Sequence, residues 1–251
     1  MIEEKIITRA IVTEYLQRLE RVVSSDVVIA GAGPSGLVAA YFLARKGLKV
    51  TLFERELKLG GGMPGGGMMF NQIVVQKEAK ELLDHFQIRS REFREGYYLA
   101  SALEATAAIT LRAIQAGAEI FNNITVEDLK VIEDKVCGVV INWTPVERAG
   151  LHIDPLTIDA RFVIDATGHP AEVVRKLESK TNQKILKGEG PMWAEVGERL
   201  IVENTREVYP NLYVCGMAVN AVFGGPRMGP IFGGMLLSGK KVADLIITKI
   251  W

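Results

Sequence analysis

Short apolar runs and helical periodicities divide the chain into alternating strands and helices. The runs DVVIA (26–30) and VTLF (50–53) are continuously apolar, which is typical of parallel strands that are covered on both faces. Between them, the apolar spacing predicts a helix from about residue 35 to residue 45. A strand, a glycine turn, a helix and a second strand in this order predict a βαβ unit with a parallel sheet.

The rest of the chain extends this α/β pattern. Helical periodicity predicts further helices at 9–24, 72–86, 101–116 and 234–249. The segment 119–143 is typical of three strands joined by turns, and more strands are predicted in TIDARFVIDATG and NLYVCG. These elements predict a central parallel sheet with a small antiparallel β-excursion. We expect one domain over 1–251, with a short N-terminal helix and a small inserted β-meander near 119–143.

Composition narrows the classes of function. Apolar residues make up 48% and charged residues 24% of the 251, as in ordinary globular proteins. The 30 basic residues balance the 30 acidic ones, so charge gives no reason to expect a nucleic-acid or membrane partner. No apolar run has the length of a membrane span, and the N-terminus lacks the apolar centre of a signal peptide. Cys137 and Cys215 lack metal-ligand spacing and are predicted to be buried thiols of a cytoplasmic protein.

The hexapeptide GAGPSG carries the strongest local signal of a binding site. It places Gly31, Gly33 and Gly36 in the G-x-G-x-x-G spacing, after a predicted strand and at the start of a predicted helix. The next strand ends in Glu54, whose carboxylate suits the 2′- and 3′-hydroxyls of a ribose. Backbone N–H groups at such a helix start bind a pyrophosphate. This context predicts an adenine dinucleotide site.

Two other segments resemble the glutathione-reductase-like flavoproteins. RFVIDATGH is similar to their ATG strand, and the segment that begins at NLYVCG is similar to their C-terminal segment. The resemblance implies a Rossmann-like dinucleotide-binding fold of the glutathione-reductase type. In those proteins an aspartate after the last strand holds the flavin, whereas this chain has Gly216 and Met217 at that place. An FAD-dependent oxidoreductase therefore stays an alternative, disfavoured by the absent carboxylate.

Three segments together resemble the thiamine thiazole synthase family, over about residues 7–247. They are GGGMPGGGMMF, AGLHIDPLTIDARFVIDATGH and GGPRMGPIFGGMLLSG. The resemblance implies that NAD is a substrate rather than a redox cofactor. Nicotinamide is cleaved off, and the ADP-ribose is isomerised and condensed with glycine and sulfur into an adenylated thiazole carboxylate. Some archaeal members have been labelled ribose- or ribulose-1,5-bisphosphate enzymes, so a sugar-phosphate isomerase is a further alternative.

His152 distinguishes two branches of that family. The matching position in the eukaryotic branch is a cysteine that donates its own sulfur, whereas the archaeal-type branch has a histidine, as this chain does. A histidine carries no transferable sulfur, so the resemblance implies sulfide from outside and a multi-turnover enzyme. The pKa of an ordinary histidine suits proton transfer near neutrality, so His152 is a candidate general base or substrate-positioning group.

Asp154 and His169 are the candidate metal ligands. One carboxylate and one imidazole form a ligand set compatible with Fe(II). Taken singly, each has a structural interpretation, because Asp154 precedes a proline in a turn and His169 precedes a helix. The resemblance implies that the metal lies between Asp154 of one protomer and His169 of another. It therefore implies a homo-oligomer, expected to be an octamer.

The resemblance also assigns the remaining binding residues. Arg227 would bind the glycine carboxylate, for which a planar guanidinium is well matched. The residues that match nucleotide-contacting positions of the family are Ser35, Arg55, Gly62, Val126 and Met217.

A non-catalytic NAD-binding module is a third alternative. It would keep the glycine turn and Glu54 but would have no use for a metal pair.

Overall fold

A computed structural model describes residues 1–251 and contains eleven strands and nine α-helices. The strands are β1 (Ser24–Ala30), β2 (Val50–Glu54), β3 (Gln72–Gln76), β4 (Ser90–Arg94), β5 (Tyr97–Ser101), β6 (Glu119–Asn122), β7 (Ile124–Ile132), β8 (Lys135–Trp143), β9 (Leu156–Asp165), β10 (Arg206–Tyr209) and β11 (Leu212–Val214). The helices are α1 (Glu4–Arg21), α2 (Pro34–Arg45), α3 (Lys77–His85), α4 (Ala102–Gln115), α5 (Thr144–Arg148), α6 (Glu172–Lys180), α7 (Ala194–Glu203), α8 (Met217–Phe223) and α9 (Gly233–Ile250).

The main sheet has a parallel centre. Strands β11, β9, β1, β2 and β6 lie side by side in that order, all parallel, with Val28 of β1 opposite Thr51 of β2 and Val163 of β9. The hairpin β7–β8 joins the sheet antiparallel to β9, and β10 pairs antiparallel with β11. Strand β2 is buried throughout, as expected for a strand covered on both faces. The predicted fold class, a central parallel sheet with an antiparallel excursion, is confirmed.

A second sheet of three antiparallel strands corrects one prediction. The helix predicted at 72–86 begins only at Lys77, because 72–76 form β3, which pairs with β5 in the order β3–β5–β4. Ile73 and Val75 alternate with more exposed neighbours and are fully buried. Alternating β-branched residues that find a partner strand favour extended backbone over the helix that their spacing also permits.

Other boundaries differ for physical reasons that lie outside the local pattern. Helix α1 spans Glu4–Arg21 rather than 9–24, since Ser24 already pairs with Asp159 in the main sheet. No residue of α1 is buried in this chain.

The two cysteines differ in burial. Cys137, predicted to be buried, is half-buried on β8. Cys215 is fully buried, and burial raises the pKa of its thiol to about 12. None of the helices combines the length and the apolar character that a membrane span needs.

Glu198 is a buried carboxyl group between α7 and α9. Its Oε2 accepts a hydrogen bond from the N–H of Gly234, at 2.6 Å, and so satisfies one free donor at the start of α9. Oε1 of Glu198 and Oε1 of Gln76, whose side chain contacts this carboxyl, have no hydrogen-bond donor. Burial raises the pKa of Glu198 from 4.5 to about 7. A protonated Glu198 therefore suits this site better than the carboxylate.

Glu198→Gln is expected to remove a pH dependence of stability. Between pH 4.5 and about pH 7 the unfolded chain loses this proton while the folded chain keeps it, so the free energy of unfolding falls as pH rises through this window. The amide keeps an acceptor for Gly234 and adds a donor. We expect chemical denaturation to give equal stabilities near pH 4.5 and a variant more stable by up to about 3 kcal/mol at pH 8. Glu195→Gln, an exposed position on the same helix, is the control, and a difference that is the same at both pH values would contradict the assignment.

Candidate functional site

A cavity of about 540 Å³ opens where β1, β2 and β9 end. Ala30 closes β1, Glu54 closes β2, and Ala166 follows β9 directly, so the carboxyl ends of three neighbouring parallel strands form its floor. Ligands of open α/β sheets bind at this edge. Predicted site residues that line the cavity are Gly31, Gly33, Ser35, Glu54, Arg55, Gly62, Val126, His169, Met217 and Arg227. The structure thus brings together most residues that were predicted from distant segments.

The three glycines of the turn have different physical roles. Gly31 has φ of 99°, and a Cβ there would lie 2.6 Å from the carbonyl oxygen of Ala166. A Cβ on Gly33 would meet nothing nearer than 3.9 Å, so its face stays open to a ligand. A Cβ on Gly36 would lie 2.1 Å from the Gly31 carbonyl oxygen, and Gly36 itself does not line the cavity. Gly36 serves the close packing of α2 on the turn, as the dinucleotide fingerprint requires.

Glu54 is a buried carboxylate that backbone donors hold in place. It is 7% exposed; Oε2 accepts from the N–H of Ala32 at 2.7 Å, and Oε1 accepts from the N–H of Glu56 at 2.8 Å. Each oxygen of a carboxylate has two lone pairs, so each can still accept a ribose hydroxyl. The side chain is therefore oriented before a ligand binds.

Asp165 holds the turn that carries His169. This aspartate ends β9 and is fully buried; Oδ1 accepts from the N–H and the hydroxyl of Thr167, at 2.9 and 2.6 Å, and Oδ2 accepts from the N–H of Val174 at 3.0 Å. Burial raises the pKa of this carboxyl, and the hydrogen bonds oppose that shift. Because these bonds join the end of β9 to Thr167 and to α6, they hold the turn between them, in which His169 lies.

His169 lies at the cavity with one ring nitrogen engaged. Its Nδ1 lies 2.8 and 2.9 Å from the two carboxylate oxygens of Glu189, and its side chain is 52% exposed. With Nδ1 as donor to a carboxylate, the unprotonated Nε2 is the nitrogen that fits a metal ion. No group of three or more metal-binding side chains occurs within the chain.

His152 and Asp154 do not reach this cavity. Both are exposed, in the irregular segment 151–155 between α5 and β9, and neither lines the cavity that His169 lines. Leu151 and Ile153, which flank His152, are also more than half exposed. Within a single chain, then, the structure does not bring Asp154 and His169, the two predicted metal ligands, together.

Comparison with known proteins decides the family. Residues 8–232 match the Thi4 family. The chain belongs to the Thi4 family. It is 57% identical to the thiamine thiazole synthase of Methanothermobacter thermautotrophicus, over 97% of each chain, and 56% identical to that of Pyrococcus furiosus, over 100% of this chain and 99% of the relative. The crystal structure of Thermovibrio ammonificans THI4 matches with a TM-score of 0.98 and 50% identity, over 100% of this chain and 99% of that one.

The family resemblance inferred from the three motifs is thereby confirmed. The chain is an enzyme of the thiamine thiazole synthase kind, and thiamine biosynthesis is the process in which it acts. Met217 stands in place of the flavoproteins' aspartate, and Gly216 before it is closely packed. Gly216 has φ of 67°, and a Cβ there would lie 2.1 Å from the Ser35 hydroxyl oxygen. Gly216 of this Thi4 family enzyme therefore has no room for a side chain.

Two ion pairs at the cavity were not predicted from the sequence. The Arg55 guanidinium pairs with Glu172 at the start of α6, and Arg148 pairs with Glu56 at 2.6 Å. Burial raises the pKa of Glu172, and the Arg55 charge opposes this shift. Arg55 and Glu172 lie 117 positions apart, so no local pattern signals their contact. In this family enzyme Arg55 thus reaches the cavity with its charge already partnered.

Arg227 lies on a loop that backbone bonds hold. Its N–H donates to the carbonyl oxygen of Gly190 at 3.3 Å, and its own carbonyl accepts from the N–H of Trp193 at 2.9 Å. The side chain is exposed and lines the cavity, as does Met217, which is 6% exposed at the start of α8. Arg227 therefore stands on a hydrogen-bonded backbone at the cavity that the glycine turn also lines.

Proposed function

We propose that this Thi4 family enzyme converts NAD, glycine and sulfide into an adenylated thiazole carboxylate and releases nicotinamide, in an Fe(II)-dependent reaction with many turnovers. One observation carries the proposal. A single cavity is lined by the glycine turn and Glu54 and also by His169 and Arg227. A module that only binds NAD has no use for His169 and Arg227. A sugar-phosphate isomerase has no use for the glycine turn and Glu54.

The chain's residues divide the substrates between them. The glycine turn and Glu54 would hold the ADP half of NAD, with Ser35, Arg55, Gly62 and Val126 around it and Met217 towards the nicotinamide or ribose end. Arg227 would bind the carboxylate of glycine through two parallel hydrogen bonds. Holding both substrates in one cavity supplies the proximity on which the condensation depends.

The cysteines support sulfur from outside the protein. Neither Cys137 nor Cys215 lines the cavity. Burial raises the pKa of the Cys215 thiol to about 12, which keeps it neutral and a poor nucleophile near pH 7. His152, which replaces the sulfur-donating cysteine of the eukaryotic branch, has no sulfur to give. Because none of these three residues is suited to donate sulfur, sulfide from solution is the proposed sulfur donor.

We propose that the iron site forms between two copies of the chain. His169 of one copy and Asp154 of another would hold Fe(II), which when bound supplies a Lewis acid and open positions for substrate. Exposed apolar side chains on α1 and beside Asp154 support association, because such surface is unfavourable in water. These residues are Ile6, Ile7, Ile11, Val12, Leu16, Leu151 and Ile153. We expect the family's octamer, in which His152 enters a neighbour's cavity and moves protons there.

Anaerobic incubation with NAD, glycine, sulfide and Fe(II), followed by mass analysis of the small molecules, tests the proposal. We expect an adenylated thiazole carboxylate in many-fold excess over protein, and none when any one component is omitted. Unchanged NAD together with a yellow protein would contradict the proposal in favour of the FAD-dependent oxidoreductase. Conversion of ribose 1,5-bisphosphate without any reaction of NAD would favour the isomerase.

His152→Ala is expected to impair turnover and to leave NAD binding intact. His152 is not among the residues that would hold the ADP half of NAD, so the dissociation constant for NAD should stay within about twofold, while loss of a proton-transfer group lowers kcat by about 100-fold or more. Single-turnover assays and calorimetry separate the two effects. His152→Cys is the informative partner variant, since a thiol there is expected to yield one product per chain without sulfide. Full activity of His152→Ala with sulfide would show that the histidine has no catalytic role.

A further inference from the structure

A partly buried carboxylate lies directly behind the imidazole of His169. Both oxygens of Glu189 lie within 2.9 Å of Nδ1, and the Glu189 side chain is 15% exposed, whereas that of His169 is 52% exposed. The contact joins a mostly buried carboxylate to a ring at the cavity. An ionised carboxylate can only accept at this contact, which favours a proton on Nδ1.

Glu189 stands on a strip of backbone, residues 187–190, that has little freedom. Four hydrogen bonds hold this strip: Lys187 N–H to Val222 O at 3.2 Å, Gly188 N–H to Ala221 O at 2.8 Å, Gly190 N–H to Gly225 O at 3.0 Å and Arg227 N–H to Gly190 O at 3.3 Å. The first two bonds reach α8, and the last two reach the loop of Arg227. The backbone is therefore held both before and after Glu189, and it is joined to the loop that carries Arg227.

We propose that Glu189 is a positioning residue that holds His169 in the tautomer with the proton on Nδ1 and presents the bare Nε2 to a divalent cation. The role rests on the metal site of the proposed function. A hydrogen-bonded carboxylate behind a ligating histidine fixes the ring orientation and increases the basicity of the ligating nitrogen. The strip joins the backbone that carries Glu189 to the backbone that carries Arg227.

The tautomer can be measured without any metal. The chain has three histidines, so magic-angle-spinning ¹⁵N spectra of sedimented protein labelled only at histidine give few signals, and His169→Gln identifies that of His169. At pH 8 we expect His169 as the Nδ1–H tautomer in the wild type and in Glu189→Gln, whose amide oxygen still accepts. In Glu189→Ala we expect the Nε2–H form to appear, while His85, which lies against Tyr41 away from the cavity, is unchanged. A wild-type His169 that carries its proton on Nε2, or a tautomer that Glu189→Ala does not alter, would overturn the proposal.

Affinity for Co(II) alone, measured on the assembled protein, tests the consequence. We expect Glu189→Ala to weaken Co(II) binding by about 10- to 100-fold and Glu189→Gln by much less, with NAD affinity unchanged in both. Glu195→Ala, an exposed glutamate on α7, should bind as the wild type does. If the wild type binds Co(II) tightly and Glu189→Ala binds it equally well, the role of Glu189 is overturned but the metal site is not. A wild type that binds no Co(II) would overturn the metal site of the proposed function and this role with it.

Discussion

Two inactive variants are expected to form product when they share one assembly. Asp154→Ala and His169→Ala should each lower thiazole formation by about 100-fold or more, because each removes one of only two protein ligands of the proposed iron site. His169 lies at the cavity and Asp154 lies outside the cavity of its own chain. If the ligands come from different copies, a random mixture retains both at roughly a quarter of the sites. Co-expression of two differently tagged chains, purified through both tags, provides the mixed assembly.

The control for this experiment is a mixture of two variants at one position. Co-assembly of Asp154→Ala with Asp154→Asn leaves every site without its aspartate and should stay inactive. NAD binding, measured on each purified variant, shows that the chains are folded. Absence of recovery in the Asp154–His169 mixture, with both variants folded and assembled, would mean that the two residues do not share a site across copies.

Glu54→Ala is expected to weaken NAD binding by about 100-fold or more, because hydrogen bonds to a charged acceptor contribute about 1.5–3 kcal/mol each. The carboxylate is 7% exposed and already oriented by the N–H groups of Ala32 and Glu56, so no ordering cost reduces its effect. Calorimetry with NAD and with ADP-ribose should give equal losses, since Glu54 is expected to contact only the half that both ligands share. The variant should also unfold more easily, because two backbone donors lose their acceptor.

Glu119→Ala is a suitable control for Glu54→Ala. Glu119 lies on the neighbouring strand β6, outside the cavity, and pairs with Arg18 at the surface. Its loss should leave NAD affinity unchanged. An affinity of Glu54→Ala within threefold of the wild type would show that this carboxylate does not bind the ribose, whatever the effect on stability.

Predictions that depend on a few neighbouring residues agree with the structure. The strand, glycine turn and helix around Gly31 and Gly36 occur where the pattern predicts them, because positive φ and close helix packing are demands on single residues. The strand at 72–76 shows the limit of such reasoning. Its residues satisfy a helical spacing, and only the pairing with β5, more than twenty residues later, makes them extended. Pairing partners are chosen by the chain's topology, which a local window does not contain.

The chain's own sequence determines the groups that the proposed chemistry uses: a G-x-G-x-x-G turn, a glutamate at position 54, a histidine at position 152, and an arginine on a glycine-rich loop. These are properties of residue types and short spacings, so they are legible without coordinates. Tertiary structure alone decides which side chains meet. Glu189 behind His169, Glu172 against Arg55, and Asp154 outside the cavity of its own chain all follow from how distant elements pack around the sheet. Ion pairs and hydrogen bonds act over a few ångströms in space, and separation along the chain does not encode that distance.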